Sequence, residues 1–448
     1  MHCAILLQHS EPGWLASCRD AGGGAVRRVF GATGRRSFLS LFDQGLVSGA
    51  NFFTSVIVGR FAGPAELGLY FLGFTLISLL TTAQISLISV PHTVYTHRPG
   101  RDRVIYAGSV LAHQWLLSAV VMVTFAGAGA YLWMFGADQQ SAALAAALAV
   151  AVPFVLLREF ARRYCFAHLR VAHGLVIDLG TAAIQVAALI WLASTNQLTA
   201  VSALSMLGLT SAVSSLGWLW VARSEFRIVV RDAVRDLRHN FNLAKWVFAS
   251  ECGASLLTLS GPWLAAAMLG TREAGVYAAC LTLAQAVNPV LFGAYNVLGP
   301  RAAQAFAVGG MQEVRRVVVT VMILVAAALC AWCLLLAAYG ATIISALYGD
   351  HYPETTATIA MLAAVVMVRS LGIVAVHGLQ TVERPQFGLW ANLAALAVLL
   401  AAAPLWIPQW GVLGAAGSIF AANATGFVIR VGAFSWVYRT PQLDGAPP

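Results

Sequence analysis

The chain is divided into about twelve apolar runs, each near the roughly 20 residues that an α-helix needs to cross a bilayer. Hydrophobic residues make up 59% of the sequence and charged residues only 10%, whereas a soluble domain carries roughly 25% charged residues. We therefore predict an all-α integral membrane protein. The predicted transmembrane helices lie at residues 41–60, 67–91, 104–133, 141–165, 172–194, 200–222, 242–268, 275–298, 314–340, 355–376, 386–407 and 411–437.

Basic residues are concentrated on one side of these predicted helices. The net charge is +9, and 23 of the 27 Lys and Arg residues fall in the N-terminal tail, in alternate gaps or after the last run. Only Arg60 and Arg272 occupy the opposite gaps, while Arg369 and Arg430 lie within apolar runs. The positive-inside rule predicts that both termini are cytoplasmic, in a multi-pass protein of the inner cell membrane. Because the arginines sit in short gaps between spans, nucleic acid is not an expected partner.

Two short motifs recur along the chain. Residues 63–70 match residues 270–277 at a shift of 207, and residues 134–136 match residues 347–349 at a shift of 213. Each match places one helix on the sixth helix after it, which predicts two six-helix lobes of the same orientation. The predicted organisation is a basic tail at 1–40, a lobe at 41–222, a linker helix at 223–241, a second lobe at 242–438 and a short tail at 439–448.

The predicted linker is amphipathic. Apolar residues recur at helical spacing between Phe226 and Phe241, and arginines such as Arg227, Arg231 and Arg235 follow another face. Such a helix is suited to the anionic surface of the cytoplasmic leaflet, so membrane lipids are an expected partner. We interpret it mainly as a tether between the two lobes.

Acidic residues within the apolar runs are candidates for ion coupling, because a charge at the bilayer centre costs about 2.5–3.5 kcal/mol on insertion scales. Asp43, Asp178 and Glu251 are the three candidates. The repeat shift of 207 carries Asp43 to position 250, so the first helix of each lobe is expected to bear one acid at nearly the same depth. A carboxylate in such surroundings can carry a proton. The alternative for Asp43 and Asp178 is that they extend to the membrane interface.

Arginines within the apolar runs are candidates for binding an anion, because a guanidinium donates two hydrogen bonds to phosphate. Arg369 is expected to line a pathway or to form an internal salt bridge, and Arg430 to line it or to extend to the interface. Arg158 and Glu159 are interpreted as a charge pair at a helix end.

The CxxC of Cys330 and Cys333 lies inside an apolar run, which favours helix packing, and no metal or cofactor is expected.

Several segments resemble a known family. The stretches at 43–52 and 59–68, the sequence at 162–167 and the sequence at 347–352 are similar to polysaccharide-biosynthesis membrane proteins. These proteins are oligosaccharide and polysaccharide flippases of the superfamily that includes the multidrug and toxin extruders. The resemblance extends over residues 41–437.

The resemblance implies two lobes in a V shape that open alternately to each side of the membrane. It implies a polyprenyl-diphosphate-linked oligosaccharide as substrate, carried outward for exopolysaccharide or lipopolysaccharide synthesis under an ion gradient. A polysaccharide polymerase and export proteins are further expected partners. Arg369, Arg430 and Arg60 are candidates for the substrate path by their position, and Asn51 by its place on a polar stripe of the first helix.

Two alternatives differ from a flippase. A drug or metabolite antiporter of the same superfamily is the nearer one, although the mixed intramembrane charges contrast with the acidic cavities of drug extruders. A membrane enzyme would need a large loop with converging catalytic groups. The longest outer loop, near residues 340–354, offers only Asp350 and His351, so we do not expect an enzyme.

Overall fold

A computed structural model describes residues 32–96, 102–136, 139–352, 355–382, 384 and 386–439, and these residues are almost entirely helical. The predicted tails lie largely outside the described residues. The helices are α1 (Ala32–Phe61), α2 (Pro64–Gln84), α3 (Val90–Tyr95), α4 (Arg103–Met134), α5 (Gln139–Ala167), α6 (Val171–Ser194), α7 (Ala200–Ala222), α8 (Val230–Leu269), α9 (Thr271–Ala284), α10 (Asn288–Tyr348), α11 (Thr356–Thr381) and α12 (Gln386–Arg439). A π-helical turn, Ile85–Ser89, makes α2 and α3 one continuous rod.

The two longest helices are each broken at a glycine. Gly310 inside α10 has φ 60°, and Gly411 inside α12 has φ 55°. Glycine adopts this left-handed backbone without the steric cost that a Cβ atom brings. Each of these helices therefore consists of two helical stretches, and the predicted segments on either side of each glycine fall into separate stretches.

The all-α architecture is confirmed. Among the described residues, nine helical rods are long and apolar enough to cross a membrane, counting α9–α10 as one rod and α12 as one. All twelve predicted segments coincide with helical stretches, although α1 begins at Ala32, well before the predicted start. The number of crossings and the cytoplasmic position of the termini stay predictions, as do the bounds of the lobes.

The recurring motifs adopt the same backbone shape. Gly63 has φ 88° and ψ 175°, and its counterpart Gly270 has φ 106° and ψ 173°. Gly136 and Gly349, the counterparts in the second motif, have φ 68° and φ 82°. We call the end of the bundle that holds these four turns the Gly63 end.

The linker does not form a helix of its own. Its residues after Val230 are the first turns of α8, which continues without a break to Leu269. The linker packs on α4. The amide of Arg227 donates to the Val104 carbonyl at 3.1 Å, and His113 Nε2 lies 2.8 Å from the Ala233 carbonyl oxygen. The linker is thus fixed to the first half of the chain.

Candidate functional site

A cavity of about 400 Å³ lies where α1 and α2 meet the junction of α9 and α10. The junction is a 3₁₀ turn, Gln285–Val287, and it is followed by Pro289 at the start of α10. The cavity brings together residues of both repeats. Its polar lining is Ser48, Asn51, Ser55, Thr282, Gln285 and Asn288, and its aromatic lining is Phe52, Tyr70, Phe71, Phe74 and Phe292. Every side chain of this lining is uncharged.

A second cavity, of about 200 Å³, adjoins the first within the N-terminal half. Asn51 and Phe74 line both cavities, so they form the wall between them. The far side of the second cavity is charged, since it is lined by Arg158, Glu159 and Asp178. A neutral central cavity therefore borders directly on a charged one.

The charged wall belongs to a cluster around Arg162 of α5. Its Nε lies 3.5 Å from Glu159 Oε2 and 3.6 Å from Asp178 Oδ2, and its Nη1 lies 4.0 Å from Asp43 Oδ2. Arg163 Nε donates to Glu159 Oε1 at 2.7 Å. Asp43 and Asp178 are only 1% and 2% exposed. We call Asp43, Glu159, Arg162 and Asp178 the Arg162 cluster.

The Arg162 cluster is only partly hydrogen-bonded. Neither carboxylate oxygen of Asp43 or of Asp178 has a hydrogen-bond partner among the described residues, and Arg162 Nε has none either. Buried charges that are incompletely paired are costly, and Asp43 and Asp178 have Arg162 as their one ion-pair partner among the described residues, whereas Glu159 also pairs with Arg163. Carboxylates that share a site readily share a proton. The cluster thus keeps charged groups of both signs buried beside the second cavity.

The structure brings two of the three acidic candidates together. Asp43 and Asp178 flank the same arginine, and both side chains are buried within the protein. Glu251 is exposed and lies elsewhere, one turn before Ser255, whose hydroxyl is 3.4 Å from Thr82 Oγ1 of the other half. Although Asp43 and Glu251 nearly coincide in the repeat, their surroundings differ. The coupling role of each acid stays a prediction.

Sequence reasoning missed the central position of Arg162. It was counted among the orienting arginines, and Glu159 was interpreted as paired with Arg158. Since α5 continues to Ala167, these residues lie inside the helix, and Glu159 forms ion pairs with Arg162 and Arg163. The spacing of three residues between Glu159 and Arg162 places both on one helix face and could have revealed the pair.

Arg369 and Arg430, the two candidate arginines within helices of the second half, lie apart from both cavities. Arg430 is 8% exposed, so it does not extend to the interface, and its Nη2 donates to Asn392 Oδ1. The absence of a side chain at Gly372 leaves space for the Arg430 guanidinium, because a Cβ on Gly372 would lie 2.9 Å from Arg430 Nη1. Arg369 is half-buried on α11. In the part of the chain that the structure describes, neither arginine forms a salt bridge, so the interior of the second half carries unpaired positive charge.

Arg60 lies in a closure between the halves. Its Nη1 donates to the carbonyls of Ala346 at 2.8 Å and Leu347 at 3.3 Å, at the end of α10 where helix carbonyls lack partners. Nearby, the Tyr352 hydroxyl donates to the Gly59 carbonyl at 2.9 Å. Arg60 therefore holds the Gly63 end together and is not part of the lining of the central cavity.

The closest approach in this closure is between α2 and α9. A Cβ on Gly68 would lie 2.0 Å from the Thr271 carbonyl oxygen, and a Cβ on Gly275 would lie 1.7 Å from that of Pro64. Gly68 corresponds to Gly275 in the repeat, and Pro64 corresponds to Thr271. The two halves thus meet backbone to backbone in a reciprocal contact, which shuts the central cavity at the Gly63 end.

Known proteins share the sequence pattern and the fold. Residues 34–306, more than half of the chain, match the family described as polysaccharide biosynthesis protein. None of the curated proteins matches the sequence.

Solved structures of transporters have a similar fold. The inward-facing conformation of a multidrug resistance MATE family transporter of the MOP superfamily aligns with a TM-score of 0.71 at 14% identity, over 88% of this chain and 95% of the other. A MOP superfamily transporter from Pyrococcus furiosus, described as having a binding pocket of reverse polarity, aligns with a TM-score of 0.65 at 13% identity. The alignment covers 90% of this chain and 94% of the other. The outward-facing conformation of a multidrug resistance MATE family transporter aligns with a TM-score of 0.63 at 13% identity, over 91% of this chain and 96% of the other.

Proposed function

The chain belongs to the polysaccharide biosynthesis protein family, and we propose that it carries a lipid-linked oligosaccharide across the inner membrane by alternating access. The observation that carries this proposal is the central cavity, which is enclosed by both halves and shut at one end. A path that both halves line can open to either side when the halves rock against each other. The product would serve the synthesis of an exopolysaccharide or lipopolysaccharide.

The lining of the central cavity suits a sugar chain. Carboxamides such as Asn51, Gln285 and Asn288 both donate and accept hydrogen bonds, as sugar hydroxyls do. The aromatic rings beside them offer flat apolar surface for the C–H faces of sugar rings. A cationic drug would instead favour an acidic lining, which supports the glycan over the drug antiporter of the same superfamily.

The unpaired arginines of the second half supply positive charge for the diphosphate of such a substrate. A charge that is buried without an acidic partner is costly to maintain, and an anionic ligand would offset this cost. Arg369 and Arg430 are our candidates for this contact, reached as the path opens. A polymerase and export proteins would receive the product outside.

The Arg162 cluster supplies a site for the coupling ion. Asp43 connects it to α1, and α1 also lines the central cavity through Asn51. Binding of a proton or cation would change how tightly Arg162 holds α1, α5 and α6 together. In this way occupancy of the cluster would bias the conformation of the path.

The end of the bundle opposite the Gly63 end is the arginine-rich end. If this end is cytoplasmic, the closure at the Gly63 end corresponds to an inward-facing state. The higher TM-score to the inward-facing MATE family structure, 0.71 against 0.63 for the outward-facing one, supports this assignment. The substrate would enter from the arginine-rich end and leave after the contact between Gly68 and Gly275 separates.

The proposed function is tested by deleting the gene and following the lipid-linked intermediates. We expect the full-length lipid-linked oligosaccharide to accumulate and to stay protected from a glycosidase added outside spheroplasts, until the wild-type gene is restored. If the lipid-linked pool and its accessibility are normal while the cells become sensitive to cationic drugs, the antiporter is correct and the flippase is wrong.

Arg369→Ala is expected to reduce flipping at least tenfold, because the second half loses one of its two candidate arginines, Arg369 and Arg430, which form no ion pair among the described residues. The measurement is the amount of lipid-linked oligosaccharide protected from the external glycosidase. Arg301→Ala, at an exposed arginine of α10, is the matched control and is expected to act as wild type. Equal flipping by both variants would remove Arg369 from the path.

Glu251→Gln is expected to slow flipping several-fold without loss of folded protein, because Glu251 is exposed on α8 close to the contact of the halves at Ser255. The measurement is the flipping rate in vesicles at several external pH values. A variant that flips at the wild-type rate at every pH would exclude Glu251 from ion coupling.

A further inference from the structure

The two halves of the chain differ at one repeat-related position near the Gly63 end. In the first half, Glu66 joins three helices: its Oε2 accepts from the Ala200 amide at 2.6 Å, and its Oε1 accepts from Gln140 Nε2 at 2.8 Å. Glu66 stands in the first turn of α2, Gln140 at the start of α5 and Ala200 at the start of α7. The carboxylate therefore links the N-terminal ends of these three helices by hydrogen bonds.

In the second half, the counterpart of Glu66 is Glu273, at the repeat shift of 207. The counterparts of the other two helix starts are the beginning of α11 and the stretch of α12 after Gly411. Glu273 has no hydrogen bond or ion pair with any residue that the structure describes. In the place of such a link, the structure has an open cavity of about 600 Å³. Its polar lining is Arg272, Glu273, Thr356 and Thr358, and its apolar lining is Val276, Ala357, Trp410, Val412 and Leu413.

The polar side chains of this cavity suit a neutral ligand with many hydroxyl groups. Glu273 accepts hydrogen bonds, Arg272 donates them, and the threonine hydroxyls do both. An anion would be opposed by Glu273 and a metal or organic cation by Arg272, whereas sugar hydroxyls can satisfy both side chains. The volume falls within the roughly 300–1,000 Å³ of small-molecule sites.

Trp410 provides the apolar surface that such a ligand needs. Its side chain is 54% exposed, and its ring centroid lies 5.5 Å from that of Trp406. The left-handed turn at Gly411 interrupts the helix directly after Trp410. The indole is thus placed at the rim of the cavity, where its face can pack on the C–H face of a sugar ring.

We propose that this cavity, the Glu273 site, binds neutral sugar units of the transported glycan at the Gly63 end of the protein. The proposal rests on the proposed function, because it takes the glycan as the substrate. The positive-inside rule predicts that the Gly63 end lies outside, so the Glu273 site would hold the glycan as it leaves the central cavity. Among the described residues of the first half, Glu66 is already engaged with Gln140 and Ala200 and forms no equivalent site.

The test uses the full-length protein labelled with 5-fluorotryptophan, in which Trp410 is one of 13 tryptophans. Its ¹⁹F resonance is assigned by its loss in Trp410→Phe. The probe is the oligosaccharide released by mild acid from the lipid-linked pool of the producing cells. We expect the Trp410 resonance to shift on titration, and Glu273→Gln to raise the apparent dissociation constant at this resonance at least tenfold.

Trp133 is the matched control, because it is an exposed tryptophan near the Gly136 turn of the same end, and its resonance is expected not to move. A Trp410 resonance that the glycan leaves unmoved, or a shift that Glu273→Gln does not weaken, would overturn the Glu273 site. Neither result affects the proposed function, which depends on the accumulation of the lipid-linked intermediate and is measured separately.

Discussion

Alanine at Gly275 is expected to abolish flipping while the protein remains folded and in the membrane. The added Cβ would lie 1.7 Å from the Pro64 carbonyl oxygen, and this backbone atom cannot rotate away. Overpacking costs typically about 1–3 kcal/mol, and we expect the upper end of this range because two backbones collide. The closed Gly63 end would then be disfavoured roughly 100-fold, since each 1.4 kcal/mol is a factor of ten.

The conformational effect is measured with Thr282→Cys, placed in the central cavity, in a background whose native cysteines are replaced. A membrane-impermeant maleimide added outside is expected to label this cysteine faster in Gly275→Ala than in the parent protein. Gly127→Ala is the matched control, because Gly127 is a helical glycine at which an added Cβ would meet no atom within 4 Å. Normal flipping and unchanged labelling in Gly275→Ala would show that this contact is not a gate.

Much of the fold could be predicted from local sequence features. Transmembrane helices are specified by hydropathy along the chain, and turns such as Gly63 and Gly270 by a glycine that can adopt positive φ. The early start of α1 at Ala32 was missed, because hydropathy detects the apolar segment, whereas helical hydrogen bonding continues through polar residues. A helix that carries charge at its end is therefore longer than its apolar run.

The candidate site was only partly predictable, because it depends on contacts between distant segments. Asp43 and Asp178 were recognised since each is an acid in an apolar run, but their partner Arg162 resembled the orienting arginines near a helix end. Only the packing of α1, α5 and α6 reveals that its guanidinium points inward. The difference between Glu66 and Glu273 was likewise hidden, because the repeat aligns the two residues and carries no information on their partners.

Replacement of Arg162 by leucine is expected to destabilise the protein by about 3–5 kcal/mol and to abolish flipping. Removing one partner of a buried ion pair leaves the other uncompensated, and here Asp43 and Asp178 would lose their ion-pair partner, while Glu159 would keep Arg163. The measurement is the unfolding midpoint of the purified protein. Arg163→Leu is the matched control: it also removes an ion pair with Glu159, but Arg163 is 39% exposed, so the expected loss is at most about 1 kcal/mol.

A second substitution separates the structural role of Arg162 from its role in coupling. Asp178→Asn in the Arg162→Leu background removes one of the uncompensated charges, so it is expected to restore much of the lost stability. Flipping should not return, because Arg162 and Asp178 are both missing from the site that would respond to an ion. A double variant that is stable and flips under the same ion gradient would exclude the Arg162 cluster from coupling. If Arg162→Leu alone is as stable as Arg163→Leu, the cluster is not charged in the way that its geometry indicates.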